Sequence, residues 1–111
     1  VLVDGKAVRS CVTPVNSVEG KQVTTLEGLG TSENPDPVQA AFISEQAAQC
    51  GYCTNGMILQ AKALLTQNKA PSTDQIKQGL AGNLCRCGTH TRIISAVALA
   101  ARLQAGQGGA A

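Results

Sequence analysis

Two pairs of cysteines, Cys50-Gly51-Tyr52-Cys53 and Cys85-Arg86-Cys87, constrain the fold of this chain more than any other feature, and 31 residues separate them. Four thiols in two tight pairs suggest metal before disulfide, and a fifth, Cys11, leaves an odd number that suits a closed disulfide framework poorly. Each pair precedes a stretch with helical apolar spacing. Unpaired N–H groups at two helix N-termini can then face one anionic centre, and both helix dipoles favour its negative charge. Four thiolates on two ferric ions and two sulfides carry a charge of about −2, falling to about −3 on reduction, which such a setting stabilises. Cysteines with one residue between them suit a binuclear cluster, whereas structural zinc sites more often use two C-x2-C knuckles. The spacing therefore favours iron-sulfur, with zinc as the alternative and disulfides or free thiols behind both. A thioredoxin-like redox pair fits less well, because no βαβ pattern surrounds Cys50 and Cys53. Gly51 and Gly88 are expected to keep Cβ atoms away where backbone approaches sulfur.

The stretches around the cysteines read mainly as α. Val1-Leu2-Val3 and Lys6-Ala7-Val8-Arg9 flank Asp4-Gly5, a hairpin-turn dipeptide, and Val23-Thr24-Thr25-Leu26 is a further extended run. Gly28, Gly30, Pro35 and Pro37 then break the pattern, which places a linker at about residues 28–36. A first helix begins at Pro37, with Asp36 or Asn34 as its cap, and runs to about Gln46 with Val38, Ala41 and Phe42 on one face. A second follows the first cysteine pair, with Met57, Ile58, Ala61, Leu64 and Leu65 inward and Gln60 and Lys62 outward. Ser72 and Gln75 form a capping-box pattern for a short third helix that buries Ile76 and Leu80. Ile93, Ile94, Val97, Ala98 and Ala101 make the stripe of a fourth, and the Gly106–Gly109 tail is expected to be disordered.

Composition excludes some functions. With no Trp, one Tyr and one Phe, the core must come from Ala, Leu, Ile and Val, and a net charge of +2 without aromatic interleaving makes nucleic acid an unsuitable partner. No apolar run approaches the roughly 18–20 residues of a membrane span.

The stretches Gln49-Cys50-Gly51-Tyr52-Cys53-Thr54-Asn55-Gly56-Met57-Ile58 and Gly82-Asn83-Leu84-Cys85-Arg86-Cys87-Gly88-Thr89 closely resemble the two signatures of the small iron-sulfur subunit of the xanthine oxidase family of molybdenum hydroxylases. The nearest likeness is to bacterial isoquinoline, nicotinate and aldehyde oxidoreductase subunits, and it extends to Val8-Arg9-Ser10-Cys11 and Thr25–Leu29. The resemblance implies a four-helix 2Fe-2S-binding bundle at residues 31–111, preceded at 1–30 by the C-terminal β remnant of a plant-ferredoxin-like (β-grasp) domain. It implies that Cys50, Cys53, Cys85 and Cys87 ligate the bundle cluster, and that Gln49 and Cys87 approach the molybdopterin of a large partner subunit. Cys11 matches the fourth ligand of a ferredoxin-type cluster whose other three cysteines are expected upstream of Val1. The implied role is electron transfer within an oxidoreductase complex, not catalysis by this chain alone. It leaves room for a further subunit carrying flavin or cytochrome, and for a cytoplasmic setting or a periplasmic one reached with an exported partner. Asn55 and Thr91 stand where the family usually has Pro, which touches helix preorganisation more than ligation. His90 reads as a surface residue, Arg86 as a counter-charge or a solvated side chain, Tyr52 and Met57 as packing beside the cluster, and Lys62, Lys69 and Lys77 as a solvated face.

Overall fold

Asp4 and Gly5 both take positive φ, 51° and 84°, the conformation that a two-residue hairpin turn needs. They join β1 (Leu2–Val3) to β2 (Lys6–Ala7), and β3 (Val23–Thr24) pairs with the other edge of β1, so the antiparallel order is β2-β1-β3. Leu2 lies opposite Ala7 on one side and Thr24 on the other. The third strand is shorter than the extended run implied. Residues Leu26–Gly28 turn into a 3-10 helix that lays Leu26 against the helical core. This computed structural model describes the backbone of residues 1–110 and the side chains of residues 1–105.

Four helices follow: α1 (Pro37–Ser44), α2 (Thr54–Gln67), α3 (Thr73–Gly79) and α4 (His90–Ala110). Two start at reciprocal caps. The Asp36 carboxylate accepts from Val38 N at 2.9 Å while the Gln39 side chain accepts from Asp36 N at 2.9 Å, and Ser72 with Gln75 repeats the device at α3. Helix α1 stops at Ser44, two residues before the expected end. Gln46 takes φ 52° there and Ala47 N bonds to Phe42 O, which turns the chain toward the first cysteine loop. The Gly106–Gly109 tail expected to be disordered lies outside the residues whose side chains are described.

The core is one apolar cluster in which Val38, Ala41 and Phe42 of α1 join Ile93, Ala96, Val97 and Ala100 of α4. Ala41, Ala96 and Ala100 are wholly buried, so their small side chains let the two backbones come close. Met57, Ile58, Ala61 and Leu65 of α2, together with Ile76 and Leu80, complete it. Helix α2 also buries its opposite side. Leu59 and Ala63 pack on Leu2 of the sheet, a second contact surface that the single apolar stripe did not reveal. Leu64, expected inward, is half-buried against Gly79, where an added Cβ would lie 3.0 Å from it.

One polar expectation is corrected by this packing. Lys62 does not face free solvent, because its Nζ lies 2.8 Å from the Asp36 carboxylate and links α2 to the cap of α1. Residues 29–36 form neither helix nor strand; Thr31 and Asn34 bond to each other twice within them, and Gln39 Nε2 donates to Leu26 O at 3.2 Å from beyond them.

Candidate metal centre

The helix packing brings both cysteine loops to one end of the molecule. Cys53 is the cap residue of α2, its carbonyl accepting from Met57 N at 3.0 Å, and Thr89 plays the same part for α4, accepting from Ile93 N at 3.0 Å. Gly51 and Gly88 adopt φ 84° and 75°, which L side chains avoid, and no protein atom lies within 4 Å of where their Cβ would stand. Their requirement is thus conformational, since the left-handed turn folds each loop back over its sulfurs.

All five cysteines are free thiols. Among the described residues no three His, Cys, Asp or Glu side chains converge closely enough to hold a single ion. The two loops nevertheless meet, since Cys50, Cys53 and Cys85 line one hollow and the thiols of both loops perturb one another.

Each sulfur has its own electrostatic setting. The Tyr52 N–H at 3.5 Å, followed by the thiol of Cys87, holds the Cys50 thiol below its ordinary range. Burial, then donation to Cys85, pushes Cys53 up. Cys85 is lowered to about 6, first by the Thr89 hydroxyl 3.2 Å away and then by the Thr89 N–H. At Cys87 the Cys50 N–H pulls down, but donation to the Cys50 sulfur, burial and the neighbouring thiolates outweigh it and leave the thiol raised. The donors to the sulfurs are the N–H groups of Cys50, Tyr52 and Cys87 in the loops, and the hydroxyl and N–H of Thr89 at the start of α4.

Charge over the whole half-chain has the same sense. Beyond Glu45 the only acidic residue is Asp74, against six Lys and Arg, so an anionic group here meets little carboxylate repulsion. Arg86 and His90 are exposed beside the cysteines. Met57 is buried as expected, but Tyr52 is 92% exposed and so is not packed beside the cysteines as expected. With the equally exposed Leu84, Tyr52 edges a shallow hollow containing Cys50, Cys53 and Cys85.

Gln49 is exposed next to Cys50. Cys11 stands apart from the four, exposed in an open cleft between the N-terminal segment and α2 that Gly51 and Tyr52 also line. Arg9 anchors that segment by donating to Gly82 O at 2.7 Å, just ahead of the second cysteine loop. Thr89 is the site residue that the sequence left unassigned. Its position four residues after Cys85 is visible in the chain, but its hydroxyl's direction is not.

Four helices with a small antiparallel sheet, and four thiols on two loops at one end, define a helical iron-sulfur-binding domain. The chain belongs to the 2Fe-2S binding domain family, whose model matches residues 25–98. It is 59% identical over 101 residues to one of the nicotinate dehydrogenase subunits of Pseudomonas putida, covering 91% of this chain and 64% of that protein. It is 49% identical to the alpha subunit of isoquinoline 1-oxidoreductase of Brevundimonas diminuta, covering 92% of this chain and 66% of that protein. Aldehyde oxidoreductase from Desulfovibrio gigas superposes with a TM-score of 0.90 at 40% identity, over 96% of this chain and 12% of that one. Quinoline 2-oxidoreductase from Pseudomonas putida 86 does so at 0.82 and 41%, over 92% of this chain and 66% of that one. The family resemblance carried by the two cysteine stretches is thereby borne out, and the chain spans slightly less than two thirds of the first relatives' length. No helix among the described residues is long and apolar enough to cross a membrane.

Proposed function

We propose that Cys50, Cys53, Cys85 and Cys87 hold one 2Fe-2S cluster, and that the chain serves as the electron-transfer part of a molybdopterin-dependent hydroxylase. The observation that carries this reading is the meeting of the two cysteine loops at one end of the molecule, where Cys50, Cys53 and Cys85 line one hollow and Cys87 acts on Cys50. When bound, the cluster supplies a one-electron relay. The chain's own residues prepare the place for it: the loop N–H groups and the Thr89 hydroxyl meet thiolate charge, and the acid-poor half around them tolerates the anion. The setting that goes with this reading is the cytoplasm, or the periplasm by way of an exported partner.

The same reading assigns residues 31–111 to a 2Fe-2S-binding bundle and residues 1–30 to the end of a ferredoxin-like β-grasp domain. Gln49 and Cys87 are its contacts to the pterin of a large partner subunit, and Cys11 is the last ligand of a second, ferredoxin-type cluster. A flavin or cytochrome subunit would be the onward acceptor.

Anaerobic reconstitution of the purified chain tests the assignment. Two irons and two sulfides per chain, red-brown absorption and a paramagnetic signal on reduction are expected, and Cys85→Ser is expected to lose them. A colourless protein holding stoichiometric zinc refutes the reading.

A further inference from the structure

We infer that the Thr89 hydroxyl sets the reduction potential of the cluster by donating a hydrogen bond to the Cys85 thiolate. This rests on the cluster assignment proposed above and adds a residue that no ligand motif contains. Thr89 Oγ1 lies 3.2 Å from Cys85 Sγ, and both residues are partly buried. Either atom could donate in a free thiol. Once Cys85 binds iron it has no proton, so the hydroxyl becomes the donor.

Two features of the fold make this more than a chance contact. Thr89 caps α4, a position where a threonine hydroxyl ordinarily accepts from an N–H of the first helical turn. The hydrogen bond the structure gives it runs to sulfur instead. The other non-cysteine donors to these sulfurs are backbone N–H groups such as that of Tyr52, which every residue type but proline supplies. Thr89 is the one non-cysteine side chain among the described residues that reaches a cysteine sulfur, and so the one point at which a substitution adjusts the sulfur's surroundings while leaving the ligands in place.

The direction of the effect follows from charge. Reduction adds one electron, part of whose charge falls on the thiolate sulfurs, so an O–H···S bond is stronger in the reduced state than in the oxidised one. Removing the hydroxyl destabilises the reduced state more, and the potential falls. A valine at the same position has nearly the same shape but no proton to give.

The test uses the whole chain, reconstituted as wild type, Thr89→Val, Thr89→Ala and Thr89→Ser. Iron content and the reduced-state paramagnetic spectrum establish that each holds its cluster, and a mediator titration gives the midpoint potential. Thr89→Val and Thr89→Ala are expected to shift the reduction equilibrium about tenfold toward the oxidised form, about 59 mV for a one-electron couple. Thr89→Ser keeps the hydroxyl and is expected to titrate with the wild type. A loaded Thr89→Val or Thr89→Ala chain with the wild-type potential overturns the inference, as does a loaded serine variant that shifts with them. A wild-type chain that takes up no iron refutes the assignment beneath it, a result readable before any potential is measured.

Discussion

Removing the Asp36 carboxylate should cost this domain about 2 kcal/mol, and two separable contacts make up that figure. The first is the cap: Asp36 Oδ2 accepts from Val38 N at 2.9 Å, and replacing an Asp cap by Ala costs about 1 kcal/mol. The second is the ion pair to Lys62 at 2.8 Å. Its carboxylate side chain is only 9% exposed and its lysine 24%, so it is worth about 1 kcal/mol, near the upper end for exposed pairs. Asp36→Asn separates the two, since asparagine caps as well as aspartate but cannot pair with an ammonium. Urea unfolding monitored by far-UV circular dichroism should therefore rank Asp36→Ala below Asp36→Asn, with the latter about 1 kcal/mol below wild type. Lys62→Met, combined with Asp36→Asn in a double-mutant cycle, should give a coupling energy of about 0.5–1 kcal/mol that shrinks as salt is raised. A coupling of zero would show that the contact between α2 and the α1 cap carries no energy. Equal losses for Asp36→Ala and Asp36→Asn would refute the capping assignment.

The sheet's attachment to α2 rests on Leu59 and Ala63 against Leu2, so Leu59→Ala should cost about 2–3 kcal/mol and raise amide exchange in residues 2–7 well before α4 is affected. Uniform protection across the chain in that variant would mean that the sheet does not depend on this contact. In the cluster-free chain the Cys85 thiol is lowered to about 6 while Cys53 is raised by burial, so at pH 7 Cys85 is mainly thiolate and Cys53 mainly thiol. Mass-spectrometric mapping of iodoacetamide labelling should find Cys85 modified ahead of Cys53 at pH 7. Its rate should fall as pH drops through about 6, and a rate that falls already below about 9 would contradict the Thr89 hydrogen bond.

The two cysteine loops were legible because their information is local: spacing alone sets how far apart neighbouring thiols can lie, and the apolar period behind each loop announces a helix. The Asp4-Gly5 hairpin, the Asp36 and Ser72 caps and the Val38, Ala41 and Phe42 face were legible for the same reason, each motif lying within one or two turns of chain. The exposure of Tyr52 was not legible, because no periodic pattern records which way a loop side chain points. Lys62 was misread because its partner lies 26 residues away on the cap of another helix.

What the sequence determined by itself was the set of elements and the chemistry available at their joints, since backbone sterics, capping groups and thiol spacing act over a few residues. Only the tertiary structure decided that the two cysteine loops meet at one end, that α2 buries two sides instead of one, and that the Thr89 hydroxyl points at sulfur. Those outcomes depend on how α1, α2 and α4 pack in space, where small residues such as Ala41, Ala96 and Ala100 let backbones approach and so set the position of both loops. Packing of that kind couples residues far apart in the chain, and no local pattern records it.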